Sequence, residues 1–288
     1  MKKKTKELVS TLIVIVFALI FGAITQDKTQ ANKQTVFEIS DTLTVYFIDV
    51  GQADSILITN QQEAMLIDAG NNADGRQVVE FIKNKGINKL DYVVGTHPHE
   101  DHIGGLDDVI NEFEIENILL PDITTNTKTF EDVIDAIENK DLQITVPNIG
   151  DQFELGESNF EIKSTIIDKN NLNLSSLVIR MQFGNTSFLF MGDAEIENEK
   201  SCKWEQATVL KVGHHGSNTS SSASFLKQVN PQISVIMVGV GNDYGHPKKE
   251  ILNRLKKINT QIYRTDEDGT IWITSNGNKC EVKTEKQL

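Results

Sequence analysis

Cysteine is nearly missing from this chain: Cys202 and Cys280 are the only two in 288 residues, and their separation matches no thiolate metal motif. They could pair in an oxidising compartment, which two isolated cysteines leave open. Proline is also scarce, at five residues, and there is no low-complexity tract or internal repeat. What remains is an ordinary globular composition, long enough to bury a substantial core. Basic residues are in deficit. Residues 1–31 hold five lysines and two acids, so the remainder carries 23 basic and 39 acidic residues, a net of −16. That balance argues against a surface that coats nucleic acid in general. It does not exclude a nucleic acid as substrate, because bound cations reverse the sign locally.

Long apolar runs are absent except for one. Lys2, Lys3, Lys4 and Lys6 precede a run from Leu8 to Ile24, broken only by Ser10, Thr11 and Gly22. Such a run after a basic cluster reads as a signal peptide or an uncleaved membrane anchor. A buried core helix is the weaker reading, since core helices seldom begin with three lysines and lack a polar face. Lysines on the cytoplasmic side place the rest of the chain outside the membrane. The chain therefore divides into 1–25, signal or anchor; 26–40, linker; and 41–288, the functional domain.

Within that domain short apolar segments read as strands at Leu43–Val50, Ser55–Ile58, Ala64–Asp68, Tyr92–Gly95 and Ile118–Leu120. Helical spacing marks Val78, Val79, Phe81 and Ile82, then Leu106–Phe113 and Phe130–Ile137. The second half has the same alternation, with strands at Phe160–Ile167, Ser176–Phe183, Ser187–Met191, Val209–Val212 and Ile233–Val238, and helices at Ala223–Val229 and Glu250–Ile258. Gly184-Asn185 predicts a tight hairpin. Ile262–Arg264, Thr270–Thr274 and Cys280–Lys283 are expected to close a sheet. Two halves of strands with flanking helices suit a four-layer αββα sandwich, an α/β fold in one domain.

Histidine is rare, and its distribution decides the reading. The six are His97, His99, His102, His214, His215 and His246, each at or beyond a strand end in a loop with glycine or proline. Loops on a rigid scaffold are where metal and catalytic groups sit. In an extended loop His97 and His99 point the same way and can reach one cation together, while a bend at Asp101-His102 reaches a second. Pro98 stiffens this loop, and Gly104-Gly105 is expected to permit a sharp turn into the following helix.

The segment Thr96-His97-Pro98-His99-Glu100-Asp101-His102 resembles the His-x-His-x-Asp-His signature of the metallo-β-lactamase superfamily. Asp49-Val50-Gly51-Gln52, Leu66-Ile67-Asp68-Ala69-Gly70, Met191-Gly192-Asp193, Gly213-His214-His215-Gly216 and Gly245-His246-Pro247 follow in matching order. Together they are similar to the soluble hydrolase domain attached to the DNA-uptake competence channel ComEC. The resemblance implies two divalent metal ions, zinc or manganese, and hydrolysis by hydroxide held between them. It implies that His97 and His99 bind the first ion, that Asp101 and His102 bind the second, and that Asp193 bridges both. Either His214 or His215 completes the second site, and the end of the preceding strand slightly favours His214. Asp68, and with it Asp49, would support the ligands from behind by hydrogen bonding.

One element of the superfamily pattern is missing: no histidine lies between His102 and His214. The equivalent stretch, Asn171–Ser176, offers Asn173 or Ser175 as a weak ligand or substrate contact. Harder oxygen ligands there favour manganese over zinc. Asp101 and His246 are the expected catalytic groups, His246 contacting a phosphate oxygen or protonating a leaving group. Ser217 and the hydroxyls after it either line the pocket or cap the next helix. The leading expectation is an extracytoplasmic phosphodiesterase or nuclease acting on a phosphodiester, DNA included. The alternatives are another ester substrate (a choline-phosphate esterase, a lactonase, or least of all a β-lactamase) and a non-catalytic module. The membrane is a partner through the N-terminus if it stays uncleaved; no protein partner follows from the sequence.

Overall fold

The structure, a computed structural model, describes residues 42–287. The segment 1–25 and the linker 26–40, with their reading as signal or anchor, lie outside the described residues. The first half runs β1 (Leu43–Phe47), β2 (Ser55–Asn60), β3 (Glu63–Ala69), α1 (Gly75–Asn84), β4 (Lys89–Val94), α2 (Glu100–Ile103), α3 (Leu106–Glu112), β5 (Glu114–Leu119), α4 (Lys128–Asn139) and β6 (Ile144–Thr145). The second half runs β7 (Gln152–Leu155), β8 (Ser158–Ser164), β9 (Val178–Phe183), β10 (Thr186–Phe190), α5 (Ile196–Lys200), β11 (Val209–Lys211), α6 (Ala223–Val229), β12 (Ile233–Ile236), α7 (Lys249–Lys257), β13 (Gln261–Arg264), α8 (Thr265–Asp268), β14 (Ile271–Ser275) and β15 (Cys280–Thr284).

These strands form two mixed sheets, ordered β15-β14-β1-β2-β3-β4-β5-β6 and β13-β12-β11-β10-β9-β8-β7. Residue pattern explains the layering. β1 alternates, burying Leu43, Val45 and Phe47, whereas every residue of β10 is buried, as expected of a strand covered on both faces. Val45, Phe47, Ile179, Phe188, Phe190 and Ile273 fill the space between the sheets. Leu66, Val93, Val78, Ile82, Leu106 and Val133 join the first sheet to α1, α3 and α4. Leu189, Leu210, Leu226, Ile236, Ile251 and Leu255 join the second sheet to α6 and α7. The result is the four-layer αββα sandwich. Cys202 and Cys280 are free thiols.

Gly184-Asn185 does make a two-residue hairpin, with Phe183 paired to Thr186 and Gly184 at φ +54°. Two expectations change. The C-terminal strands do not close one sheet: β13 ends the second sheet, while β14 and β15 return to the first, β14 pairing antiparallel to β1. The Gly104-Gly105 pair is also not a turn that needs special dihedrals, since both residues have ordinary negative φ, −57° and −92°. Glycine is needed there for space. A Cβ on Gly104 would stand 2.3 Å from the backbone of Asn71 and Asn72, and one on Gly105 would stand 2.5 Å from the carbonyl of Ala69 and the Cα of Gly75.

That close approach seats α2 and α3 against the end of β3 and so sets where the histidine loop lies. Because the neighbours are backbone, they cannot rotate away. Gly105→Ala is therefore expected to cost about 1–3 kcal/mol, seen as a lower midpoint in urea denaturation. An unchanged midpoint would disprove the tight contact.

Candidate metal centre

The parallel pairs β3–β4 and β10–β11 deliver the functional loops from their C-terminal ends. Past β4, Thr96, His97 and Pro98 lead to His99, which is extended (φ −80°, ψ 149°) and starts α2. His97 and His99 thus project from extended backbone, while Asp101 and His102 sit on the first turn of α2. Asp68, buried at the end of β3, fixes the loop. Its Oδ1 accepts the Thr96 backbone N–H at 2.8 Å, and its Oδ2 accepts the Thr96 hydroxyl and His102 Nδ1–H, each at 2.8 Å. With its own proton directed to Asp68, the Thr96 hydroxyl accepts from His97 Nδ1 at 3.2 Å.

These bonds decide the tautomers. His97 and His102 spend Nδ1–H on the scaffold and keep Nε2 for the site. His215 does the same through Nδ1–H to the Met237 carbonyl, 2.9 Å. His102 Nε2 lies 3.2 Å from Asp193 Oδ1, and His215 Nε2 lies 3.5 Å from Asp193 Oδ1 and 3.3 Å from Asp101 Oδ2. Ligand atoms about 2.0–2.1 Å from a tetrahedral ion stand about 3.3–3.4 Å apart, so Asp101, His102, Asp193 and His215 fit one divalent cation. His102 Nε2, His215 Nε2 and Asp193 Oδ1 are buried without any hydrogen-bond partner, as such a site requires. The slight preference for His214 in this position is reversed: His215 occupies it, and His214 stands on the other side, its Nε2 3.5 Å from Asp193 Oδ2. His97 Nε2 and His99 Nδ1 lie 3.0 Å apart, within hydrogen-bond distance of each other, and stand outside this group of four.

The electrostatics call for positive charge. Burial pulls the His102 imidazole down, but the carboxylates of Asp193, Asp68 and Asp101 outweigh it and lift it well above the ordinary histidine range. Burial likewise opposes a raised His215, and Asp193 and Asp54 prevail. Asp193 is held well below the carboxylate range because His215, His102 and His214 overcome its burial. A proton or a metal cation at Nε2 is what these carboxylates demand, and the two compete for the same positions.

Other expected residues fall differently. Asp49 is not brought to the cluster: its Oδ1 accepts the Gly51 N–H at 3.2 Å, stabilising a turn. Ser175 turns its hydroxyl back to the Leu172 carbonyl at 2.7 Å, away from any ligand position. The Ser217 hydroxyl bonds Thr219 within its own turn, at 3.1 Å to the side chain and 3.3 Å to the backbone N–H. Asn173 and His246 do line the cleft over the cluster, with Gln52, His99, Asp101, Tyr244 and the double histidine. Burial, with His214 and His215 beside it, pushes the His246 imidazole down to about 4, so near neutrality it is an uncharged hydrogen-bonding group.

Sequence reading missed the role of Asp54. It is buried, pairs with the buried Lys211 ammonium, and has Oδ1 3.5 Å from His215 Nδ1. Lys211 also donates to the Gly192 carbonyl at 3.1 Å, one residue before Asp193. A lysine facing into the sandwich from an apolar strand was the available signal, because a buried ammonium needs a carboxylate. Breaking a buried pair by removing one partner costs about 3–5 kcal/mol. Asp54→Asn is expected to lose that much in urea denaturation, and Asp54→Asn/Lys211→Met to recover most of it. A single variant as stable as the parent would refute the pairing.

A sequence profile described as the metallo-beta-lactamase superfamily matches residues 48–240. ComE operon protein 3 of Bacillus subtilis is 31% identical over 250 residues, covering 79% of this chain and 32% of that protein. Competence protein ComA of Neisseria gonorrhoeae is 28% identical over 231 residues, covering 77% of this chain and 31% of that protein. The chain thus spans about a third of the length of these relatives. Among solved structures, the metallo-beta-lactamase fold protein YhfI from Bacillus subtilis superposes with a TM-score of 0.52 at 13% identity, over 77% of this chain and 95% of that one, a likeness of fold. Fold, residue cluster and relatives agree: the chain belongs to the metallo-β-lactamase superfamily, as a metal-dependent hydrolase related to ComEC-like competence proteins.

Proposed function

We propose that this chain hydrolyses phosphodiester bonds in a nucleic-acid strand outside the cytoplasm, using two divalent ions, manganese or zinc. The observation that carries the reading is the double-sided Asp193. Its Oδ1 faces His102 and His215, at 3.2 and 3.5 Å, and its Oδ2 faces His214 at 3.5 Å. One carboxylate serving two neighbouring positions is the arrangement of a two-ion site. Bound there, divalent ions would polarise a phosphoryl oxygen and make water a nucleophile at neutral pH.

The protein's own groups shape what can enter. The cleft is about 300 Å³, and side chains able to hydrogen-bond a polar substrate line it, among them Gln52, Asn173, Tyr244 and His246. Tyr244 is 65% exposed at its margin and stacks on the His246 ring, with centroids 5.7 Å apart at 18°, a pair of rings that a base could extend. His246 is held by Asn242, which accepts its backbone N–H at 2.9 Å and donates to its carbonyl at 2.8 Å. Its neutral ring can donate a hydrogen bond to a phosphate oxygen without prior protonation. The competence relatives support a nucleic-acid substrate, and the apolar run from Leu8 to Ile24 behind its lysines supports the extracytoplasmic location.

The purified full chain is expected to cleave bis-p-nitrophenyl phosphate and single-stranded DNA with added Mn²⁺ or Zn²⁺, and to stop on chelation. Asp193→Asn should lower the rate at least about 100-fold. No turnover of either substrate with any metal would overturn the assignment, and hydrolysis of nitrocefin or a choline-phosphate ester instead would move it to another ester. A reporter phosphatase that works only outside the cytoplasm, fused after residue 288, should be active; an inactive fusion refutes the location.

A further inference from the structure

Among the described residues, no lysine or arginine lines the cleft over the cluster, whereas Glu100 and Asp101 do. The charge of a phosphodiester in this cleft is met only by cations held at the cluster. Phosphoryl oxygens turned away from those cations need neutral hydrogen-bond donors, because an anionic oxygen withdrawn from water without one is costly. Asn173 is not such a donor. Its amide nitrogen is turned to Glu195 Oε1 at 3.5 Å, and its buried Oδ1 is an acceptor. Tyr244 is largely exposed at the margin. Gln52 is a lining side chain whose donor end the structure itself identifies.

Gln52 lies in the loop from β1 to β2, in the first sheet, and reaches across to the second. Its Oε1 accepts the Gly239 backbone N–H at 3.1 Å, just past β12. The reverse orientation would set two donors against each other, so the oxygen is fixed on Gly239. Both Nε2 hydrogens are left without a partner among the described residues. The contact is tight: a Cβ on Gly239 would stand 2.6 Å from the Gln52 backbone nitrogen and 3.0 Å from the carbonyl carbon of Gly51. The same loop is tied to α2, where the Asp54 N–H donates to the Asp101 carbonyl at 3.0 Å. On the far side, the Asn242 amide donates to the Gly239 carbonyl at 3.0 Å and to the His246 carbonyl at 2.8 Å. One hydrogen-bonded chain thus links Gln52, Gly239, Asn242 and His246 and fixes two walls of the cleft to each other. A donor held this way needs no reordering when charge arrives beside it.

We propose that Gln52 contacts the substrate, its Nε2 donating a hydrogen bond to a non-bridging oxygen of the scissile phosphodiester on the side that no protein cation reaches. The inference rests on the phosphodiester reading above.

The test compares the purified full chain, supplied with Mn²⁺, with Gln52→Glu and Gln52→Met on bis-p-nitrophenyl phosphate. Glutamate keeps an acceptor for the Gly239 N–H and lacks the donor, while methionine lacks both. Both variants should lose at least about 100-fold in kcat/KM. Gln52→Glu should do so with the parent's metal content by atomic emission and the parent's urea midpoint. Inhibition by inorganic phosphate should weaken about 10–100-fold in Gln52→Met. A side chain that only ties the two loops together gives a different pattern, with Gln52→Glu as active as the parent and Gln52→Met less stable, and that pattern overturns the inference. A rate loss in Gln52→Glu that is matched by lost metal overturns it too. A parent inactive on both bis-p-nitrophenyl phosphate and DNA overturns the phosphodiester reading and this inference with it, whereas an active parent beside an equally active Gln52→Glu overturns this inference alone.

Discussion

Negative charge buried in one place is the constraint on which the molecule depends. Asp54, Asp68 and Asp193 are almost fully shielded, with Asp101 beside them, and Lys211 is the buried lysine in their midst. Carboxylates removed from water at such density are tolerable only beside compensating cations. Lys211 neutralises Asp54, and His102 hydrogen-bonds Asp68. Asp101 and Asp193 are left facing imidazole nitrogens that themselves have no acceptor or donor within the protein. The fold creates a demand for cations and places nitrogen donors around it, so metal binding completes the folded state rather than decorating it.

The scaffold meets this constraint with rigid parts. Each key group follows a strand whose neighbours are hydrogen-bonded on both sides: Asp68 ends β3, His97 follows β4, Asp193 follows β10, and His214 and His215 follow β11. Irregular geometry recurs at these strand ends. Asp68 itself is left-handed at φ +59°, as are His214 and His215. Left-handed backbone at three chemistry-bearing positions costs roughly 1–3 kcal/mol at each, a load that a thick, doubly covered sheet can carry.

Much of this was legible in residue patterns, and the limits have physical causes. Long apolar strands and amphipathic helices such as Ala223–Val229 announced themselves because each has one dominant surface to bury. β6 has only two residues, both exposed, and β7 alternates weakly, so neither carries a hydrophobic period to detect. At the site, clustered histidines pointed directly to metal chemistry. Which of His214 and His215 faces the Asp101–His102 group was not legible, because it turns on two unusual φ values that side-chain identity does not encode. Asp49 and Asp54 looked alike by position, five residues apart on one loop. The difference arises from partners far along the chain, Lys211 for Asp54 and the local Gly51 amide for Asp49.

The return of β14 and β15 to the first sheet has a consequence for how the chain is made. β1 is an interior strand, paired on one side with β2 and on the other with β14, which lies more than two hundred residues later. As the polypeptide emerges from its N-terminal end, β1 and β2 can pair early, but the opposite edge of β1 stays open until Ile271–Ser275 has been synthesised. An uncovered apolar edge strand is a point of attachment for other chains. The first sheet is therefore finished after the second, and β1 stays unprotected on one side while more than two hundred residues are made.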